Sequence, residues 1–178
     1  MTKQGAILGA SALFGLGGAF LATAAASDRL PIERVSVSES GIQGNKGGAL
    51  AFGRSVTDDG QQVVFTSGSD NLIAGDYNDG FDFSYAILRH RNNNTNAWLA
   101  APVVRYFAVS NPQITTDGRY AVFATSQHLV PGDSDLLDIY RKDLQTGTVA
   151  RVNQPAGGGN WPEYCEPYAD MSSDGRFI

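Results

Sequence analysis

Three times the chain writes one short phrase, an Asp-Gly pair set between apolar segments. The copies are Thr57-Asp58-Asp59-Gly60 ahead of Val63-Val64-Phe65, Thr115-Thr116-Asp117-Gly118 ahead of Ala121-Val122-Phe123, and Ser172-Ser173-Asp174-Gly175 ahead of Phe177-Ile178. Their glycines lie 58 and 57 residues apart. An internal period just above the usual range for one propeller blade constrains the fold more than any composition does. Asp-Gly between β-branched and aromatic residues predicts a hairpin, because glycine accepts the positive φ that a tight primed turn demands.

The repetition extends beyond the turn. Glu33-Arg34-Val35-Ser36-Val37 with Gly44-Asn45 matches Ala150-Arg151-Val152-Asn153 with Gly159-Asn160, and Asn71-Leu72-Ile73-Ala74-Gly75-Asp76 matches His128-Leu129-Val130-Pro131-Gly132-Asp133. One unit reads through completely. Gln113–Thr115 and Tyr120–Thr125 form a hairpin, and a loop over 126–136 follows. A second hairpin joins Asp138–Asp143 to Thr148–Val152 around Gln145-Thr146-Gly147. Four short antiparallel strands per period make one propeller blade. No sustained 3.6-residue apolar period occurs after Ser27, so the predicted class is all-β, with helix only in the leader.

Thr115-Thr116-Asp117-Gly118-Arg119-Tyr120-Ala121-Val122-Phe123, Asn71-Leu72-Ile73-Ala74-Gly75-Asp76 and Leu144-Gln145-Thr146-Gly147-Thr148 resemble the TolB-like family of WD-repeat-like β-propellers over residues 33–178. The resemblance implies a ring of blades, usually exported in bacteria. It further implies a role as a protein-interaction module or as a non-catalytic propeller attached to an enzyme. The segment after the leader holds about two and a half units, whereas a ring needs roughly four to eight blades. Residues 27–178 are therefore expected to be a partial propeller, with Val63, Phe65 and Phe177 on open blade faces. The alternative is a ring assembled from several chains.

Residues 1–26 read as a segment apart. Lys3 supplies a basic start, Gly5–Ala26 carries no charge, and Ala22-Thr23-Ala24-Ala25-Ala26 offers small-residue cleavage sites. That is a secretory signal peptide. The alternative is an uncleaved anchor, since roughly 20 apolar residues span a bilayer, and the only membrane contact expected is through this segment. Either way the remainder is exported, periplasmic or extracellular. The formal net charge of −5 becomes one unit more negative when Lys3 is removed, which makes phosphate backbones poor partners and excludes nucleic acid. A single cysteine, Cys165, forms no disulfide within the chain and no cysteine metal cluster.

Candidate sites are few. Asp76, Asn78 and Asp82 place oxygen ligands at alternate positions around Gly80, a pattern suited to calcium. An acidic turn whose side chains cap backbone N–H groups is the preferred reading of the same residues. Trp161, Tyr164 and Tyr168 form an aromatic, proline-rich connection that either contacts a protein, small-molecule or glycan partner or plugs the gap between blades. Asp58, Asp59, Asp117 and Asp174 recur in every unit and read as turn formers, and His90 and His128 as surface or loop side chains. No catalytic motif occurs. The expected function is a non-catalytic binding scaffold, the alternative a propeller part of a larger exported hydrolase or lyase.

Overall fold

The hairpins form where the apolar segments flank Asp-Gly. In the computed structural model the described residues are 32–46, 49–51, 53–75, 84–101, 109–133, 136–159, 166 and 168–178. They hold eight strands: β1 (Ala49–Leu50), β2 (Gln62–Ser67), β3 (Tyr85–His90), β4 (Thr95–Trp98), β5 (Val109–Ile114), β6 (Tyr120–Thr125), β7 (Asp138–Asp143) and β8 (Val149–Arg151). These make two four-stranded antiparallel sheets, β1-β2-β3-β4 and β5-β6-β7-β8, each in sequence order. No helix occurs among the described residues. The leader, residues 1–26, lies outside them.

The three Asp-Gly turns share one hydrogen-bond pattern. Gly60, Gly118 and Gly175 donate N–H to the carbonyls of Thr57, Thr115 and Ser172 at 2.9, 3.0 and 3.0 Å. Each turn Asp accepts through Oδ1 from the hydroxyl two residues before it, at 2.6, 2.6 and 2.7 Å. The same oxygen takes the amide two residues after it, at 2.9, 2.9 and 3.1 Å. The hydroxyl oxygen in turn accepts the amide of Gln62, Tyr120 or Phe177.

The glycines have φ of +66°, +73° and +70°, and among the described residues only Asn94 and Asn111 join glycine in that region. The expected primed two-residue turn is therefore corrected. Positive φ falls only on the glycine, which closes a longer loop begun by an ordinary turn over Thr57–Gly60 and its equivalents. The Asp side chain holds this shape by binding the backbone two residues on.

Equivalent turns also bond to one another. Asp58 N–H donates to Thr116 O at 3.0 Å, and Thr116 N–H donates to Ser173 O at 3.1 Å. Asp58, Thr116 and Ser173 occupy the same place in their repeats, so each link joins the same position of successive repeats. Ile114 N–H to Arg54 O (2.8 Å) adds a second link between the first two repeats.

Alternation along the strands sets the faces. Val64, Ala86 and Leu88 of the first sheet pack with Ala121, Phe123 and Tyr140 of the second in one buried cluster. Phe123 stacks on Tyr140 at 6.1 Å, and both rings are buried, the Phe123 side chain worth about 1.5–3 kcal/mol of transfer. The other face of the first sheet carries Val63, Phe65 and Ile87. Ala121 and Phe123 are the equivalents of Val63 and Phe65, so the sheets stack face to back in one direction. In β5 the ladder slips between Ser110 and Gln113, with Asn111 at φ +49° beside Pro112. A proline lacks the N–H the ladder needs, and a bulge accommodates it.

Two expectations about open faces divide. Val63 and Phe65 are buried, because Leu72 and the upstream residue Val35 pack over them with Ile73 and Trp98. Phe177 is exposed.

Candidate functional site

Where the back of the first sheet meets the turn of the second, a cleft of about 290 Å³ remains. Gln62, Leu88, His90, Ala97 and Trp98 come from β2, β3 and β4. Asp117, Gly118, Lys142, Leu144 and Gln145 come from the second repeat. The antiparallel register brings the first group together, pairing Gln62 with His90 and Leu88 with Ala97.

Gly118 lets the walls approach. A Cβ there would stand 2.9 Å from Gln62 Oε1, so the amide of Gln62 fills the space a larger residue would occupy. That Oε1 is buried without a hydrogen-bond donor. Trp98 is held edge-on by Tyr85, ring centroids 5.5 Å apart at 73°. Lys142 reaches across from β7 and donates to Leu99 O at 2.8 Å. Burial holds its pKa below the usual lysine value. Asp117 spends Oδ1 on Thr115 and Arg119, and the Thr115 hydroxyl is the main reason its carboxyl sits below the usual range.

The same cleft recurs one repeat later. Tyr120, Arg141, Asp143 and Ala150 replace Gln62, Leu88, His90 and Ala97 around a space of about 200 Å³. The guanidinium carbons of Arg119 and Arg141 each lie 4.9 Å from the Tyr120 ring centre. Arg141 also donates to Gly175 O at 3.2 Å, and a Cβ on Gly175 would stand 3.0 Å from Tyr120 Cδ2. The glycine-against-wall contact is thus repeated while the chemistry of the wall changes.

The residues singled out from sequence are placed unevenly. Asp76, Asn78, Asp82, Trp161 and Tyr164 lie outside the described residues. Tyr168 is exposed. No group of three or more His, Cys, Asp or Glu suited to a metal occurs among the described residues.

Asp133, which matches Asp76 in the repeat, is engaged within its own loop. Asp133 Oδ2 accepts the amides of Leu129 and Val130 at 2.8 Å each and the Tyr140 hydroxyl at 3.0 Å, while Oδ1 faces Arg151 at 3.3 Å. Asp138 completes the buried pair with Arg151 at 3.4 Å. Burial, with Asp133 beside it, pushes the Tyr140 hydroxyl far above its ordinary pKa.

Sequence reading missed Gln62, Trp98 and Lys142 altogether and placed His90 as an ordinary surface side chain. Gln62, His90 and Lys142 share one signal, register: each lies on the strand face at a repeat boundary, which the period locates but the residue types do not advertise, whereas Trp98 pairs with Ile87 and packs on the other face.

No helix among the described residues is long and apolar enough to cross a membrane. No family model matches the chain, and no curated protein matches it. Among solved structures, one described as a putative TolB from Agrobacterium tumefaciens is similar over 63% of this chain, at 13% identity and a TM-score of 0.40. The chain spans 32% of that structure's length.

Proposed function

We propose that this chain forms blades of an exported, propeller-type scaffold that acts by binding rather than by catalysis. The observation that carries the reading is the link between equivalent turns, Asp58 to Thr116 to Ser173. A contact that joins the same residue of successive repeats generates a ring when its rotation closes. Face-to-back stacking of the two sheets supports the same arrangement. The recurring carboxylates of Asp59, Asp117 and Asp174 are engaged in their own turns, as structural residues are. What varies between repeats is the wall of the cleft, which is where a scaffold diversifies its ligands. Export rests on the uncharged stretch Gly5–Ala26 and its small-residue exit.

An experimental structure of the full-length protein tests the scaffold. The reading expects Asp58 O and Ser173 N–H to bond to the same turn position of further repeats around one axis. Repeats stacked in a line would contradict it. Export is tested by N-terminal sequencing of the protein from the periplasm or medium, which should begin between Ala25 and Asp28. Intact Met1 in the membrane fraction would replace the signal peptide by an anchor.

A further inference from the structure

The peptide bond that closes each repeated turn is also the most reactive kind in a protein chain. An Asp-Gly bond rearranges without an enzyme. The Gly nitrogen loses its proton and attacks the Asp Cγ, a C–N bond forms, and the carboxyl OH leaves as water. Water then reopens the resulting succinimide at either carbonyl. One product is aspartate again; the other is isoaspartate, whose main chain runs through the side-chain carboxyl and is longer by a methylene. Nothing is oxidised or reduced, and water is the only co-reactant. Glycine favours the attack because no Cβ shields its nitrogen.

Three such bonds, Asp59-Gly60, Asp117-Gly118 and Asp174-Gly175, lie in the repeated turns, and a fourth, Asp79-Gly80, lies outside the described residues. In each of the three, both reacting groups are already engaged. The Gly N–H donates to the carbonyl of Thr57, Thr115 or Ser172 at 2.9, 3.0 and 3.0 Å. The hydroxyl of that same residue donates to Asp Oδ1 at 2.6, 2.6 and 2.7 Å. A single residue thus restrains the nucleophile with its carbonyl and the electrophile with its side chain. The amide of Gln61, Arg119 or Arg176 holds Oδ1 from a second side.

Charge works in the same direction. The hydroxyl contact is the main reason each carboxyl sits below the usual aspartate range. Ring closure expels water from the protonated carboxyl, whereas the carboxylate offers only a poor leaving group. A hydrogen bond to the ionised form therefore empties the reactive one.

We propose that Asp59, Asp117 and Asp174 are latent isoaspartate sites, each guarded by the hydroxyl residue two positions before it. Isoaspartate at 59 would lengthen the chain between Thr57 O and Gly60 N–H, whose bond closes the turn that carries Asp58 N–H to Thr116 O. Rearrangement at one turn then weakens the link between two repeats, and refolding does not undo it.

The test incubates the full chain at neutral pH, folded and in guanidinium chloride, and reads isoaspartate site by site by peptide mapping with electron-transfer fragmentation. Asp59, Asp117 and Asp174 should each convert at least about tenfold more slowly in the folded chain, because reaction waits on local opening. Thr57→Val removes the hydroxyl and keeps the carbonyl. It should speed conversion at Asp59 at least about tenfold, the loss of one hydrogen bond to a charged group, and leave Asp117 and Asp174 at their original rates. Thr57→Ser keeps the hydroxyl and should leave Asp59 protected.

Equal rates in the folded and unfolded chain overturn the proposal without any substitution. An unchanged rate at Asp59 in Thr57→Val also overturns it. A rise at all three sites together in that variant means that protection belongs to the whole fold, and overturns the assignment of one guard to each turn.

Discussion

Replacing Gly118 by alanine separates the cost of a backbone conformation from the cost of a contact between repeats. Gly60 and Gly118 hold the same turn position, at φ +66° and +73°. An L-residue there costs about 1–2 kcal/mol in either turn. A Cβ on Gly60 would meet only Arg91 Nη1 at 3.4 Å, an ordinary contact at the end of a flexible side chain. On Gly118 it would meet Gln62 Oε1 at 2.9 Å, with Cδ and Nε2 each at 3.0 Å. Overpacking adds about 1–3 kcal/mol, toward the lower end because an amide can rotate away. Gly60→Ala should therefore cost about 1–2 kcal/mol, and Gly118→Ala about 2–4 kcal/mol.

Urea unfolding of the full chain followed by circular dichroism measures both, provided the transitions share one slope. On a Gln62→Ala background the obstacle is gone, and Gly118→Ala should fall back to about 1–2 kcal/mol. Equal costs for the two glycines, or no coupling to Gln62, would refute the packing of the second turn against the first repeat.

Other expectations concern charge. Arg151→Ala strands Asp133 and Asp138, whose side chains are nearly inaccessible, and should cost about 3–5 kcal/mol by the same unfolding assay. Asp59, Asp117 and Asp174 have folded pKa values lowered chiefly by the hydroxyls of Thr57, Thr115 and Ser172. A lowered folded pKa gives stability that is present above the unfolded value, about 3.9, and lost as pH falls through the folded one. The acid limb of a stability–pH curve should therefore flatten in a Thr57→Ala, Thr115→Ala, Ser172→Ala variant. If Asp76, Asn78 and Asp82 converge on one calcium ion, millimolar calcium should raise the thermal midpoint and Asp76→Ala should lose the response. An unchanged midpoint leaves a capped acidic turn.

The period and the hairpins were legible because they rest on local chemistry. Asp-Gly fixes a turn wherever it stands, and the spacing of Gly60, Gly118 and Gly175 survives into three superimposable hydrogen-bond patterns. Turn type was misread because the sequence does not show that Asp117 binds Thr115 and Arg119, which leaves positive φ to the glycine alone. The burial of Val63 and Phe65 was misread for a different reason. Val35 lies 28 residues upstream of Val63 in a segment short of apolar periodicity, and only its resemblance to Val152 hinted at a blade-like position. The cleft was illegible altogether. Gln62, Leu88 and Lys142 line one cleft only because two sheets stack face to back, a contact no single repeat encodes.

The link between equivalent turns is the centre of this account, and amide hydrogen exchange reads it residue by residue. The Asp58 and Thr116 amides lie outside the strands, and the acceptor of each is the carbonyl of the next repeat. Their exchange should be slowed as strongly as that of Val64 and Val122 in the strands, opening only when the repeats separate. Exchange at Asp58 and Thr116 as fast as in an unprotected loop, with the strands still protected, would contradict the claim that the turns join one repeat to the next.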